Sequence, residues 1–246
     1  MREAPHRVDT THSITSSAQL DGARYPLLAG GTANDLMLAP QERVLFLTGP
    51  NMAGKSTLLR TLGLIVHFAH LGLRVPASRA VLPLVDRLIT LLDVTDDIVR
   101  GESLYLAEVR RVRAVAAAVA RGETVVGLLD EAFRGTNIKD ATEATGLLTD
   151  GLAGASRGLF VLASHLVEVI AARTDDARIA RCYMHVESDG ANRAGGFTFS
   201  LRRGVSDVRL GMRLLEREGV VALLQEIGGQ GDGAGCKAPG PSLSFG

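Results

Sequence analysis

Val44-Leu45-Phe46-Leu47-Thr48-Gly49-Pro50-Asn51-Met52-Ala53-Gly54-Lys55-Ser56-Thr57 is the stretch on which the fold turns. Gly49, Gly54, Lys55 and Ser56 hold the spacing Gly-x-x-x-x-Gly-Lys-Ser, the pattern of a loop that cradles phosphates. The apolar run from Val44 to Leu47 reads as a strand and the stretch from Ser56 as a helix, which is the context the pattern needs. Glycines let the backbone wrap closely around a phosphate chain, so loop N–H groups and the helix N-terminus face its negative oxygens. Lys55 adds a point charge at the β- and γ-phosphates, and the Ser56 hydroxyl offers a ligand to Mg²⁺. A chance glycine turn before a helix would not supply all of these at once. The stretch predicts a site for a nucleoside triphosphate.

Outward from this loop the chain reads as an α/β domain. Residues 56–71 carry Leu58, Leu59, Leu62, Ile65, Val66 and Ala69 at helical spacing, with Gly72 as the stop. Val81 to Asp93 is strand-rich. Ser103 precedes a second apolar-periodic run (Leu106, Val109, Val112, Val115, Ala116, Val119) and is a good N-cap. Thr124 to Leu129 is continuously apolar and ends in Asp130-Glu131. Such a run suits a central parallel strand buried on both faces, and its C-terminal end is where open α/β sheets place their ligands. There Asp130 suits Mg²⁺, held through water, and Glu131 suits the orienting or deprotonation of an attacking water. Helix capping is the plainer alternative for that pair.

Leu159 to Ala163 is a further buried strand ending in Ser164-His165. A lone histidine is most often structural, but this one stands at the end of the strand after the acidic strand. Ile179 to Val186 and Phe197 to Leu201 alternate and read as an antiparallel pair. The expected fold is therefore a mostly parallel sheet flanked by helices, with an antiparallel C-terminal strand pair. The domain is expected over residues 21–227, after a disordered leader (1–20) and before a disordered Gly/Pro/Ser tail (228–246).

Composition narrows the function. The 246 residues suffice for one large α/β core, and no apolar run is long enough for a membrane span. Cys182 and Cys236 show no metal-type spacing, and a cytoplasmic setting is expected. The 27 basic and 27 acidic residues cancel, so the basic excess of a chain that grips nucleic acid by itself is missing. The Arg110, Arg111 and Arg113 group lies on a helix, where a solvated face is the default.

The inner residues of the loop, Gly49 to Thr57, closely resemble the P-loop of the MutS family of DNA mismatch-repair ATPases, a branch of the ABC-type P-loop superfamily. Arg24-Tyr25-Pro26-Leu27 and Asn34-Asp35 are similar to segments before the family's P-loop strand. Gly31-Thr32 departs from the bulky residues the family usually packs near the adenine. Asp96-Asp97 matches an acidic pair, and Gly101, Ser103, Tyr105 and Glu108 match the family's Gly-x-Ser-x-aromatic-x-x-Glu signature. Arg134-Gly135-Thr136 resembles the loop that communicates between the two sites of a dimer, with Asn137-Ile138 departing from the usual Ser-Thr. Ser164-His165 and Met184-His185 match the last two motifs.

The resemblance implies ATP and Mg²⁺ as cofactors, bound by Gly49, Pro50, Asn51, Met52, Ala53, Gly54, Lys55, Ser56 and Thr57. Ser56 and Asp130 would be the metal ligands, and His185 would pack near the base. It gives Glu131 the water, His165 the sensing of the γ-phosphate, and Ser103 a reach across a homodimer to the neighbour's γ-phosphate. It further implies coupling to mismatched-DNA binding by domains for which this chain has no room, and a MutL-type repair partner. A stand-alone ATPase, a fragment and half of a split gene all fit. So does a second class of function, a non-catalytic, nucleotide-gated dimerisation or regulatory module.

Overall fold

The computed structural model describes residues 17–92, 103–187, 196–206, 215–216 and 218–230. Asp96-Asp97, Gly101, residues 1–16 of the expected leader and residues 231–246 of the expected tail lie outside them. The chain divides into two compact units, Met1–Val208 and Arg209–Gly246.

In the first unit, β1 (Ala18–Ala23), β2 (Asn34–Leu38) and β4 (Arg79–Val81) form a small antiparallel sheet in the order β2-β1-β4. β1 starts inside the stretch expected to be a leader. Its alternation turns Ala18 and Leu20 inward, both 1% exposed, and that burial holds a polar-looking segment in a strand. The larger sheet contains β3 (Val44–Thr48), β5 (Arg87–Leu91), β6 (Val125–Asp130), β7 (Leu159–Ala163), β8 (Ile179–Val186) and β9 (Phe197–Arg203). Its order is β5-β6-β7-β3-β8-β9, parallel throughout except for the antiparallel β8–β9 pair. The sheet is thus α/β and mostly parallel, with the antiparallel C-terminal pair in the place the sequence assigned to it.

Both faces of the central strands are covered, which is why β3, β6 and β7 read as unbroken apolar runs. On one face Val44, Phe46, Val125, Leu129, Phe160 and Leu162 pack against helix α2 (Leu104–Ala120) and helix α3 (Ile138–Ala153). On the other, helix α1 (Lys55–His70) buries Leu58, Leu59, Leu62 and Ile65, and Gly63 lies against Leu128. A short helix, α4 (Val167–Ala171), follows β7. In the second unit, helix α5 (Val220–Gln230) runs through Gly228 and Gly229, past the point at which the tail was expected to begin.

Sheet order places the ends of β3, β6 and β7 side by side. Two hydrogen bonds beyond the ladders join them: Glu131 N–H donates to Ala163 O (2.9 Å), and Ser164 N–H to Leu47 O (3.0 Å). The phosphate loop, the acidic pair and the Ser164-His165 pair therefore leave the sheet at one edge.

Candidate nucleotide site

The loop after β3 reaches α1 through Gly54, whose φ of 101° lies in the left-handed region open to glycine. A side chain there would also crowd Phe199, with Cβ 3.2 Å from the Phe199 ring. Gly54 caps α1 without a side-chain acceptor, and the helix starts at once with Lys55. Leaving the N-terminal amides without a side-chain partner suits a site for anions. Lys55 is only 5% exposed. Its ammonium donates to Gly49 O (2.8 Å), Pro50 O (3.2 Å) and Asn51 Oδ1 (3.4 Å), and lies 3.7 Å from Glu131 Oε1. Burial pushes the lysine below its ordinary pKa range, with Glu131 and Asp130 opposing the shift.

A cavity of about 570 Å³ opens over this loop, a size suited to a small-molecule ligand. Asn51, Met52, Gly54, Lys55, Ser56 and Thr57 line it together with Asp130 and Glu131. Ser56 and Asp130 give the cavity a hydroxyl and a carboxylate, and among the described residues no group of three or more His, Cys, Asp or Glu is arranged to hold a metal by itself. That oxygen-only, incomplete donor set fits Mg²⁺, which takes few protein ligands and completes its shell with phosphate and water. It does not fit a metal that needs a closed cage of nitrogen or sulfur ligands.

Of the other expected residues, Gly49 and Pro50 turn their carbonyls to Lys55, and Ala53 is buried beneath the loop. His165 places Nδ1 3.6 Å from Glu131 Oε1, so loop lysine and strand-end histidine converge on one carboxylate oxygen. Ser103 caps α2, accepting from Leu106 N–H at 3.4 Å, and stands outside the cavity lining. His185, expected by resemblance near the base, is also absent from that lining. Neighbouring strand residues face opposite ways, and here Met184 takes the inward position, against Gly49 and Gly54.

The rest of the wall was legible in part, at Gly31 and Thr32, and Phe199 was not. Tyr25, Leu28, Gly31, Thr32 and Phe199 line it. Phe199 has φ 54°, unusual for an aromatic residue, where the β8–β9 register slips between His185 and Val186. A bulge re-aims a side chain in this way. Asn34 pins it: its Nδ2 donates to Phe199 O (3.0 Å), and its Oδ1 accepts from Leu201 N–H (2.6 Å). Strict alternation, read from sequence, contains no signal for such a slip.

A glycine loop at the C-terminal edge of a mostly parallel sheet, with two carboxylates on the neighbouring strand, places the chain among α/β proteins of P-loop-like architecture. Family comparison makes that specific. Residues 45–225 match the family model described as MutS domain V. The DNA mismatch repair protein MutS of Thermotoga neapolitana is 34% identical over 194 residues, covering 77% of this chain and 24% of that protein. Its counterpart in Thermotoga petrophila is 31% identical over 217 residues, 85% of this chain and 27% of the relative. The chain belongs to the MutS family and carries its domain V. It spans about a quarter of the length of the curated relatives it matches.

Proposed function

We propose that this chain is the Mg²⁺-dependent ATPase domain of a MutS-like DNA mismatch-repair protein, an ABC-type P-loop engine that works as a nucleotide-sandwich dimer. The observation that carries the reading is the convergence of Lys55, Ser56, Asp130 and Glu131 on one cavity, beside the glycine loop. The Gly49–Thr57 amides and Lys55 bind the phosphates, and Ser56 and Asp130 hold Mg²⁺. When bound, the metal neutralises developing charge on the β- and γ-phosphates. Glu131 orients the attacking water and accepts its proton. His165, sharing Glu131 Oε1 with Lys55, is placed to respond to the γ-phosphate.

Ser103 lies outside its own cavity lining, which suits a role in a neighbour's site. Closure of two such sites on ATP would move DNA-gripping segments of a longer assembly, with a MutL-type partner reading the closed state. Among the described residues no helix is long and apolar enough to cross a membrane.

The test is phosphate release per molecule as protein concentration rises, with Lys55→Ala as the blank. Specific activity that climbs with concentration supports two half-sites meeting. Activity independent of concentration overturns the trans role of Ser103. Tight ATP binding without phosphate release at any concentration supports the second reading, a nucleotide-gated dimerisation module. Gly31 and Thr32 in the cavity wall, where the family usually places bulky residues, favour that alternative.

A further inference from the structure

We propose that Glu108 is a positioning residue: it holds the Glu131–Gly135 turn in shape and joins that turn to the start of α2. The proposal rests on the nucleotide-site reading above and gives a task to a carboxylate which that reading leaves unused.

The turn after β6 is strained. Glu131 and Phe133, neither of them glycine, have φ 46° and 68°. Non-glycine residues in that region persist only where their surroundings hold them. One end of the turn is held by Glu131 N–H on Ala163 O. The other end is held by α2. Gly135 N–H donates to Glu108 Oε2 (3.3 Å), and Arg134 Nε lies 3.4 Å from Glu108 Oε1. The Phe133 ring packs on Tyr105 with centroids 6.4 Å apart. The two backbones approach so closely that a Cβ on Gly135 would lie 2.8 Å from Tyr105 N.

Glu108 is fully buried, and both of these polar partners belong to the turn. A buried ion pair is a poor source of stability, because desolvation cancels most of the attraction and an apolar residue of similar volume often does as well. Burial indeed raises the Glu108 carboxyl above the usual carboxylate range, against the pull of the Gly135 N–H and Arg134. What a carboxylate supplies and a leucine cannot is an acceptor for the Gly135 N–H together with a charge within ion-pair distance of Arg134. Arg134 and Glu131 both line the cavity, and Ser103 caps the helix that carries Glu108. Glu108 therefore makes the water-activating turn and the Ser103 cap one mechanical body, so displacement of either is felt by the other.

The test uses the full chain as Glu108→Gln, Arg134→Gln and the double variant, with ATP as the probe. Amide exchange is read at Gly135 and at residues 104–108. Glu108→Gln is expected to speed exchange at both places in parallel. It should lower kcat by between about ten- and a hundredfold while KM and ATP affinity stay within about twofold, as misplacement without lost binding requires. The double variant should turn over no more slowly than the worse single variant, because both remove one linkage. Unchanged exchange, a raised KM at unchanged kcat, or multiplicative losses in the double variant would each overturn the proposal. So would a loss of kcat that merely tracks a lower Tm. If the unsubstituted chain binds ATP without turnover, the ATPase reading fails by itself. The exchange arm then still decides the linkage: parallel acceleration supports it, and unchanged exchange ends it.

Discussion

Two parts of the cavity lining are built in opposite ways. Residues 49–57, proposed to bind phosphate through backbone amides, form one unbroken segment, and its left-handed N-cap position is filled by a glycine. Elsewhere in the lining, the loop carrying Tyr25, Leu28 and Thr32 meets Phe199 from far along the chain, and a phenylalanine occupies the positive-φ position. Amides that bind phosphate need a fixed local curl and little else, so the whole device fits in nine consecutive residues. A flat apolar ligand face needs surfaces on several sides, and only packing of separate strands and loops can assemble them. Asn34, bonded to Phe199 O and Leu201 N–H, holds that wall in shape.

This contrast can be broken most sharply at the acidic strand. Glu131→Gln should lower turnover by about 10²- to 10⁴-fold, the usual range for a general base, while single-site ATP affinity stays close to the parent. Equal loss of affinity and turnover would place Glu131 in binding rather than chemistry. Lys55→Ala comes next, with ATP affinity about 10- to 100-fold weaker in equilibrium titration, as expected for hydrogen bonds to a charged group. The cation is the binding form, and its pKa is lowered by burial. Parent affinity should therefore fall as pH rises through a value below the ordinary lysine range, and Lys55→Ala should lose that slope.

Phe199→Ala separates the two parts. Loss of the aromatic face is expected to weaken ATP about tenfold, beyond what lost area alone explains, and to leave tripolyphosphate binding unchanged. If both ligands weaken alike, Phe199 supports the loop and not the base. The smallest effect is expected from Gly54→Ala. A Cβ at φ 101°, 3.2 Å from the Phe199 ring, should lower stability by roughly 1–2 kcal/mol, read as a shift in chemical-denaturation midpoint.

Much of the larger sheet was legible because its causes are local. Val44 to Leu47, Val125 to Leu129 and Leu159 to Ala163 are apolar at every position, and only strands covered on both faces require that. The Ser103 cap and its following helix were equally plain. Illegible were the features that depend on a partner far along the chain. β1 is a strand because β2 and β4 flank it, with Leu20 facing Leu36 and Ala80 across the sheet. On β8 it is Met184 that lines the cavity, a choice of strand face that alternation alone does not settle.

By itself the order of residues determined the glycine loop between strand and helix, the acidic strand end, the parallel core and the family. Each is a contiguous pattern whose physical requirement, whether backbone curl, charge at a strand terminus or two-sided burial, is met within one segment. Tertiary structure alone decided that Lys55 and His165 share one oxygen of Glu131, that Glu108 turns inward to Arg134 and Gly135, and that a bulge aims Phe199 at the cavity. Those outcomes rest on the strand order β6-β7-β3-β8-β9 and on one slip in register. Contacts between distant segments are set by how whole elements pack, and no local pattern encodes them.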